Sequence, residues 1–490
     1  MKKTLKTVFA IFAISTIAGS AFGQAVIHIA GSTAFRPSAT AAILDILNSP
    51  TCAYDSSSTT YKGGAAIFYG ELKSTPGHFV YIKAYWTGSM AGTFDLANQT
   101  QITQWIATPA TVGGVIPGTG VTMGAATHDT TGSTPNTGTN IHGLSYSLET
   151  HACEVAMSDA DQSSVAQAIS TAVGGAAFQA TVNNNPATDA GNVAPGTVGI
   201  VTFVWAAGHQ TANGGIPPYT NITQQQAAAL IKTGAIPISE LTGNGNLSDY
   251  AFLVSRNEDS GTRIDGFAEP QTGFGKSLIT WEFSYSANNT SYVDVTNGGV
   301  TIQTGGSGST LSGGVQWPKN WKLNTDPTVQ WSAKGHSGYI GGGDVANNLK
   351  SVGAVTASFG GDAPPGFTNG TSKAYLIGVL STADQAGSGS TVLTYNGVPF
   401  SVANVQLGNY SNWGFEHCYI RSNAPTISGD SLQAANDLAD EMTTTDAPTN
   451  GNGKTDNSGV TADVAGILYD SNCKFTKSAA EGSYEIPNGN

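Results

Sequence analysis

A chain of 490 residues exceeds one ordinary domain, and its net charge of −13 leaves no basic footprint for nucleic acid or an anionic membrane. With 11% charged residues and 62 glycines, the surface must be built from Ser, Thr, Asn and Gly. At 39% hydrophobic and 9% aromatic, the composition also excludes a chain disordered throughout.

In chain order, Lys2, Lys3 and Lys6 precede an apolar run from Val8 to Ala18, and Ala21-Phe22-Gly23 follow. This reads as a secretory signal peptide over 1–23, cut before Gln24, because the run is too short to span a bilayer. The chain carries no cysteine near that cut for a lipid anchor, so a periplasmic or secreted product is expected. Ala25–Ala30 predicts a strand, followed by the turn Gly31-Ser32-Thr33-Ala34-Phe35-Arg36-Pro37 and a helix over Ala39–Leu47. Tyr81–Tyr85 predicts a second strand, running into Thr87-Gly88-Ser89-Met90-Ala91-Gly92-Thr93 and a short helix. Glu154–Met157 predicts a third, ending in Ser158-Asp159-Ala160-Asp161. Cys52–Gly64 and Thr108–His142 read as Gly/Thr/Ser-rich insertions, and Val198–Val204 as a buried strand. A helix is expected over Gln224–Thr233, another opening at Gly341-Gly342-Gly343, and a late one over Asp430–Met442. The alternation between about Asn288 and Gly314 predicts a β-hairpin.

The segment with the most chemistry follows the strand Ala251–Val254 and reads Ser255-Arg256-Asn257-Glu258-Asp259-Ser260-Gly261-Thr262-Arg263. Ser260 and Thr262 offer hydroxyls, Gly261 lets backbone approach a ligand, and Arg256 supplies a planar charged fork. A helix starting at Ser260 would aim its free N–H groups at the same point. Taken alone, the segment also fits a strand, a turn and a helix cap. Together with the three earlier turns it makes four strand–turn–helix units, and in open α/β sheets ligands bind where strands end in such turns.

In this order the turns resemble those of the phosphate-binding proteins of bacterial ABC importers, whose pattern is G-[AS]-x-T-[FVL]-x-P, G-S-S-G-G, S-D-A-P and R-x-D-G-S-G-T. Asn221–Ile236, Ala374–Leu380 and Asn396–Tyr410 resemble structural stretches of that family, so the likeness runs over about 26–440. It implies an α/β fold of the two-lobed periplasmic-binding-protein type, with mixed sheets, a ligand cleft between lobes and β-rich insertions. The implied division is 24–195 for the first part of lobe I, 196–380 for lobe II and 381–490 for the return to lobe I. It also implies a monomer that is no enzyme, uses no cofactor, captures inorganic phosphate or a related oxyanion, and works with an ABC transporter permease. Carried over position by position, the ligand set is Thr33, Ala34, Phe35, Ser89, Asp159, Arg256, Glu258, Ser260, Gly261 and Thr262.

Several of these positions depart from the family pattern. Ala34 stands where the family has a ligand threonine, so a hydroxyl is lost unless Thr33 or Ser32 takes over. Met90-Ala91 adds bulk to the second turn, Glu258 is a methylene longer than aspartate, and Asp259 replaces a glycine. Arg36 and Arg263 are extra cations that either compensate or are plain surface charges. Four cysteines in an exported chain suggest two disulfides with three connectivities open, of which the resemblance favours Cys52–Cys153 and Cys418–Cys473. No metal site is expected: there is no CxxC or HxxxH, the eight histidines are scattered, and Asp446–Asp456 reads as a solvated turn. Ser158 and Ser260 have no histidine partner in the motifs, which argues against hydrolysis. The competing reading is a secreted or cell-surface structural protein on the same fold with a degenerate anion site.

Overall fold

A computed structural model describes residues 24–56, 63–111, 113–126, 138–162, 164–165, 182–183, 197–208, 218–256, 260–272, 280–285, 290–294, 300–304, 311–317, 339, 341–350, 364–368, 371–385, 388–421, 427–443, 466–467, 473–477 and 485–487. The signal segment, Glu258 and the Asp446–Asp456 stretch lie outside these residues.

The chain opens with β1 (Ala25–Gly31), α1 (Arg36–Asp45), β2 (Leu47–Asp55), β3 (Ala65–Leu72), β4 (Phe79–Tyr85) and α2 (Ser89–Asn98). It continues through β5 (Val155–Ser158), β6 (Thr197–Ala207), α3 (Gln224–Thr233), β7 (Tyr250–Val254) and α4 (Gly261–Ala268). The last main elements are α5 (Gly342–Lys350), β8 (Ala374–Ser381), β9 (Trp413–Arg421) and α6 (Gly429–Thr443). The fold is mixed α/β around one large mixed sheet. Its order is Ala235–Pro237, β7, β8, β6, β9, β5, β1, β4, β3, β2 and Gly124–Ala125.

Strand direction places the turns. β1 runs parallel to β4 and to β5, so the carboxyl ends of all three finish along one edge. β6 is the joint of the sheet: Thr197–Thr202 pairs antiparallel with β9, and Phe203–Ala207 pairs antiparallel with β8. β7 then lies parallel to β8. Every residue of β6 and β8 is buried, as expected for strands covered on both faces and written as continuous apolar runs. α6 lays Ala434, Ala435, Leu438, Ala439 and Met442 into the main core, against α1 and β1.

Local chemistry sets most boundaries. α3 starts with a capping box, Thr223 accepting from the Gln226 amide and Gln226 accepting in return, and ends on Gly234 at φ 74°. α1 begins earlier than the sequence predicts because Pro37 pre-sets its first turn, and it stops at Asp45 because Leu47 is drawn into pairing with Leu72. The same ladder corrects the first insertion, since Cys52–Asp55 belong to β2, opposite Phe68–Ala65. The predicted hairpin forms: Thr290–Asp294 pairs antiparallel with Val300–Thr304, beside a second antiparallel pair of Thr280–Tyr285 with Leu311–Trp317. Among the described residues no helix is long and apolar enough to cross a membrane.

The disulfide expectation is corrected, because no disulfide joins any of the four cysteines, all of them buried. Cys52 packs in the main core, whereas Cys153 sits in a separate cluster with Leu96, Ile102 and Trp105. Cys418 and Cys473 share the main core without bonding. Burial pushes the Cys52 thiol up to about 12 and raises those of Cys153 and Cys418, so none is poised as a thiolate. The native protein should therefore be silent to Ellman's reagent and release four thiols once unfolded without reductant. No thiol in denaturant would mean that two bridges form after all.

Candidate functional site

The four predicted turns meet. Gly31, at φ 127°, lies so close to the Met157 carbonyl that a Cβ would overlap it, and a Cβ at Gly92 would press on Gly31 in turn. Two backbone hydrogen bonds lace the turns together: the Ser32 amide to the Met157 carbonyl and the Gly88 amide to the Gly31 carbonyl, each 2.8 Å. Glycine at Gly31 and Gly92 is thus required by the close approach of three strand ends. Gly88 at φ 103° precedes α2 and brings Ser89 to its first turn.

Onto this platform comes the turn after β7. The helix supposed to start at Ser260 begins one residue later, with Ser260 extended at its cap and Gly261 the first residue of α4. Gly261 lies directly against Asp159 and Ser89, where a Cβ would overlap the Asp159 carboxylate. The Ser89 hydroxyl donates to Asp159 Oδ1, and the Thr262 hydroxyl reaches Oδ2 at 3.4 Å. Asp159 is 1% exposed, so its carboxylate collects two of the hydroxyls predicted for the site.

Arg256 is held from several sides. Its Nε donates to the Tyr339 carbonyl at 3.3 Å and its Nη1 to the Thr33 hydroxyl at 3.1 Å. Its own carbonyl accepts from Arg263 Nη1 at 2.9 Å. Its remaining nitrogen, Nη2, is buried without a hydrogen-bond partner, and so is the Ser260 hydroxyl. Buried donors are normally satisfied, so each of these two orphans calls for an acceptor.

In the first turn it is Thr33 that meets Arg256, while Ala34 is buried and has no polar side-chain group to offer. The Phe35 amide donates to the Ser32 hydroxyl at 3.1 Å and so is engaged within its own turn. Met90 is 2% exposed: its bulk is absorbed by the core. Neither extra arginine is a plain surface charge. Arg263 is buried, braces the Arg256 backbone and stacks over Phe267 at 5.3 Å. Part-buried Arg36 has its pKa lowered, first by desolvation and then by Arg256, with Asp384 opposing.

Three neighbours escaped the sequence reading. Tyr339 belongs to no motif, yet its carbonyl orients the Arg256 fork. Asp384 takes the Ser381 hydroxyl at 2.9 Å, and its carboxylate lies against Gly342, the first residue of the helix α5 that the sequence does predict. Glu416 of β9 is wholly buried, and neither of its oxygens has a hydrogen-bond partner. Burial drives its pKa well up and the nearby Asp159 charge adds to this, while the adjacent Ser32 hydroxyl opposes weakly.

A second polar cluster gathers residues that the sequence left scattered. His28 Nδ1 meets Glu154 at 3.0 Å, His151 Nδ1 meets the same carboxylate at 3.1 Å, and the two rings stack at 4.1 Å. The ligand atoms of His28, His151 and Glu154 lie within 4.8 Å of one another, near enough for a metal to be considered. Yet Arg421 already faces Glu154 and Lys83 already faces Glu149. The histidines, led by His151, hold Glu154 down at about 2 against its burial, and His28 and Lys83 do the same for Glu149. The stacked rings also point their nitrogens along nearly parallel planes, a poor arrangement for one tetrahedral ion.

No protein-family model and no curated protein matches the sequence. Among solved structures, a protein assigned as a phosphate ABC transporter substrate-binding protein, with bound phosphate, from Clostridium perfringens aligns at a TM-score of 0.39 and 12% identity, over 91% of this chain and 100% of its own. An ABC-type phosphate transport receptor from Vibrio cholerae aligns at 0.33 and 11%, over 84% and 93%. PstS from Borrelia burgdorferi aligns at 0.29 and 10%, over 85% and 92%. Similarity at this level specifies no ligand.

Proposed function

We propose that this chain is an exported solute-binding protein that captures inorganic phosphate, or an oxyanion of the same shape, between two lobes. Residues 24–195 with 381–490 form one lobe and 196–380 the other, joined through β6. The observation that carries the reading is two buried, unpartnered donors, Arg256 Nη2 and the Ser260 hydroxyl, in the segment whose Gly261 and Thr262 meet Asp159. A tetrahedral oxyanion supplies the acceptors they lack, and the fork of Arg256 is already oriented by Thr33 and Tyr339. With a chain charge of −13, such an anion is held by local donors and not by a global field.

Asp159 makes sense in the same reading. A carboxylate beside an anion is repulsive unless the ligand brings a proton. Hydrogen phosphate can donate to Asp159, whereas sulfate cannot and leaves the carboxylate facing bare negative charge. The predicted signal segment fits export, and delivery to an ABC transporter permease is the natural use of a captured anion. Calorimetry near neutral pH with phosphate and with sulfate tests the proposal. Heat with phosphate and little with sulfate is expected. No heat with either, on a folded ligand-free sample, would overturn it in favour of a structural role.

A further inference from the structure

We infer that Glu416 holds a proton beneath the anion site and thereby sets the charge that the site offers its ligand, an inference that rests on the anion reading above. β9 pairs antiparallel with β5 as far as His417 and Ser158, and the residues that follow this last pair are Glu416 and Asp159, near enough for the Asp159 charge to act on Glu416. On its other side Glu416 pairs with Gly199 of β6, which has no side chain to answer a carboxylate. Two carboxyl groups are thus confined together, and they are unequally provided with donors. Asp159 receives the Ser89 and Thr262 hydroxyls, while Glu416 has only the Ser32 hydroxyl nearby, short of a formed hydrogen bond.

Like charges so placed do not both ionise, and the proton stays on the group with less stabilisation of its anion. That group is Glu416, and its raised pKa agrees. The other groups around it do not reverse this. Ser32 offers only a hydroxyl, and helix α4 adds another acid, Asp265, packed against Gly414 two residues along β9. His417, the next residue, sits under burial that lowers its pKa to about 4, with Asp161 the acid that opposes this.

The consequence is a site with one negative carboxylate facing the ligand, not two. Ionising Glu416 places a second buried negative charge behind Asp159, and the anion must then bind against both. The sign follows: affinity is full while Glu416 keeps its proton and is lost as pH rises through its folded pKa. Inorganic phosphate itself changes from monoanion to dianion around neutral pH, but it does so identically for wild type and variant, so a comparison of the two proteins cancels the ligand's own titration.

The test compares wild type with Glu416→Gln, whose amide has the shape and neutrality of the protonated acid. Phosphate binding is measured by calorimetry from neutral to moderately alkaline pH, with thermal melting to confirm the fold at each point. The two proteins should bind alike at neutral pH, and wild-type affinity should then fall relative to Glu416→Gln, by up to about tenfold per pH unit, once pH passes the folded pKa of Glu416. Infrared difference spectra of the ligand-free proteins should contain a protonated-carboxyl band at neutral pH that vanishes in Glu416→Gln. The same alkaline fall in both proteins, or no such band, overturns the role of Glu416 alone. Absence of phosphate binding by wild type at every pH overturns the anion reading and the gating role with it.

Discussion

Arg256→Ala should weaken phosphate binding by about 2–3 kcal/mol, roughly 30- to 150-fold, while leaving the protein folded. Arg256 is 2% exposed, and two of its three nitrogens are fixed by Tyr339 and Thr33, so the third is presented in one direction only. A charged hydrogen bond from such a preorganised donor costs little ordering on binding. Arg256→Lys should recover only a small part of the loss, because an ammonium cannot hold Tyr339, Thr33 and the anion in one plane. Calorimetric affinity together with a melting curve separates a binding loss from misfolding. Unchanged affinity in a folded Arg256→Ala protein would move the anion elsewhere, with Arg36 the next cation to examine.

Asp159→Asn should narrow the preference for phosphate over sulfate by roughly tenfold or more. At mildly alkaline pH both ligands are dianions of similar shape, so the ligand's proton is what distinguishes them. The wild-type carboxylate accepts that proton and repels an anion without one. Asparagine keeps the shape, which matters because Gly261 leaves no spare room beside this side chain. It still offers an acceptor through its carbonyl, but it removes the charge and adds an N–H donor that sulfate can use. Most of the change should therefore come from sulfate binding more tightly. Competition calorimetry of both anions on wild type and variant measures it. Equal discrimination by the two proteins would mean that Asp159 does not read the ligand's proton.

What the sequence determined by itself was local. The hydroxyl-and-glycine turns, the extended Ser260 before α4, the capping box of α3 and the apolar strands β6 and β8 all follow from residues within a few positions of each other. The parts of the candidate site that carry a motif were legible for that reason: Ser89, Asp159, Arg256, Ser260, Gly261 and Thr262 do come together. Tertiary structure decided what no local pattern encodes. Thr33 is the residue of the first turn that Arg256 reaches, across 223 residues of chain. Arg36 and Arg263 read as possible surface charges, but burial is a property of what packs above a residue, not of its neighbours in sequence. The cysteines looked pairable by count and compartment, yet Cys52 and Cys153 pack in different clusters, and distance, not count, makes a disulfide. Glu416 had no motif at all: only the pairing of β9 with β5, which ends one residue short of it, brings it near Asp159, with neither of its oxygens in a formed hydrogen bond.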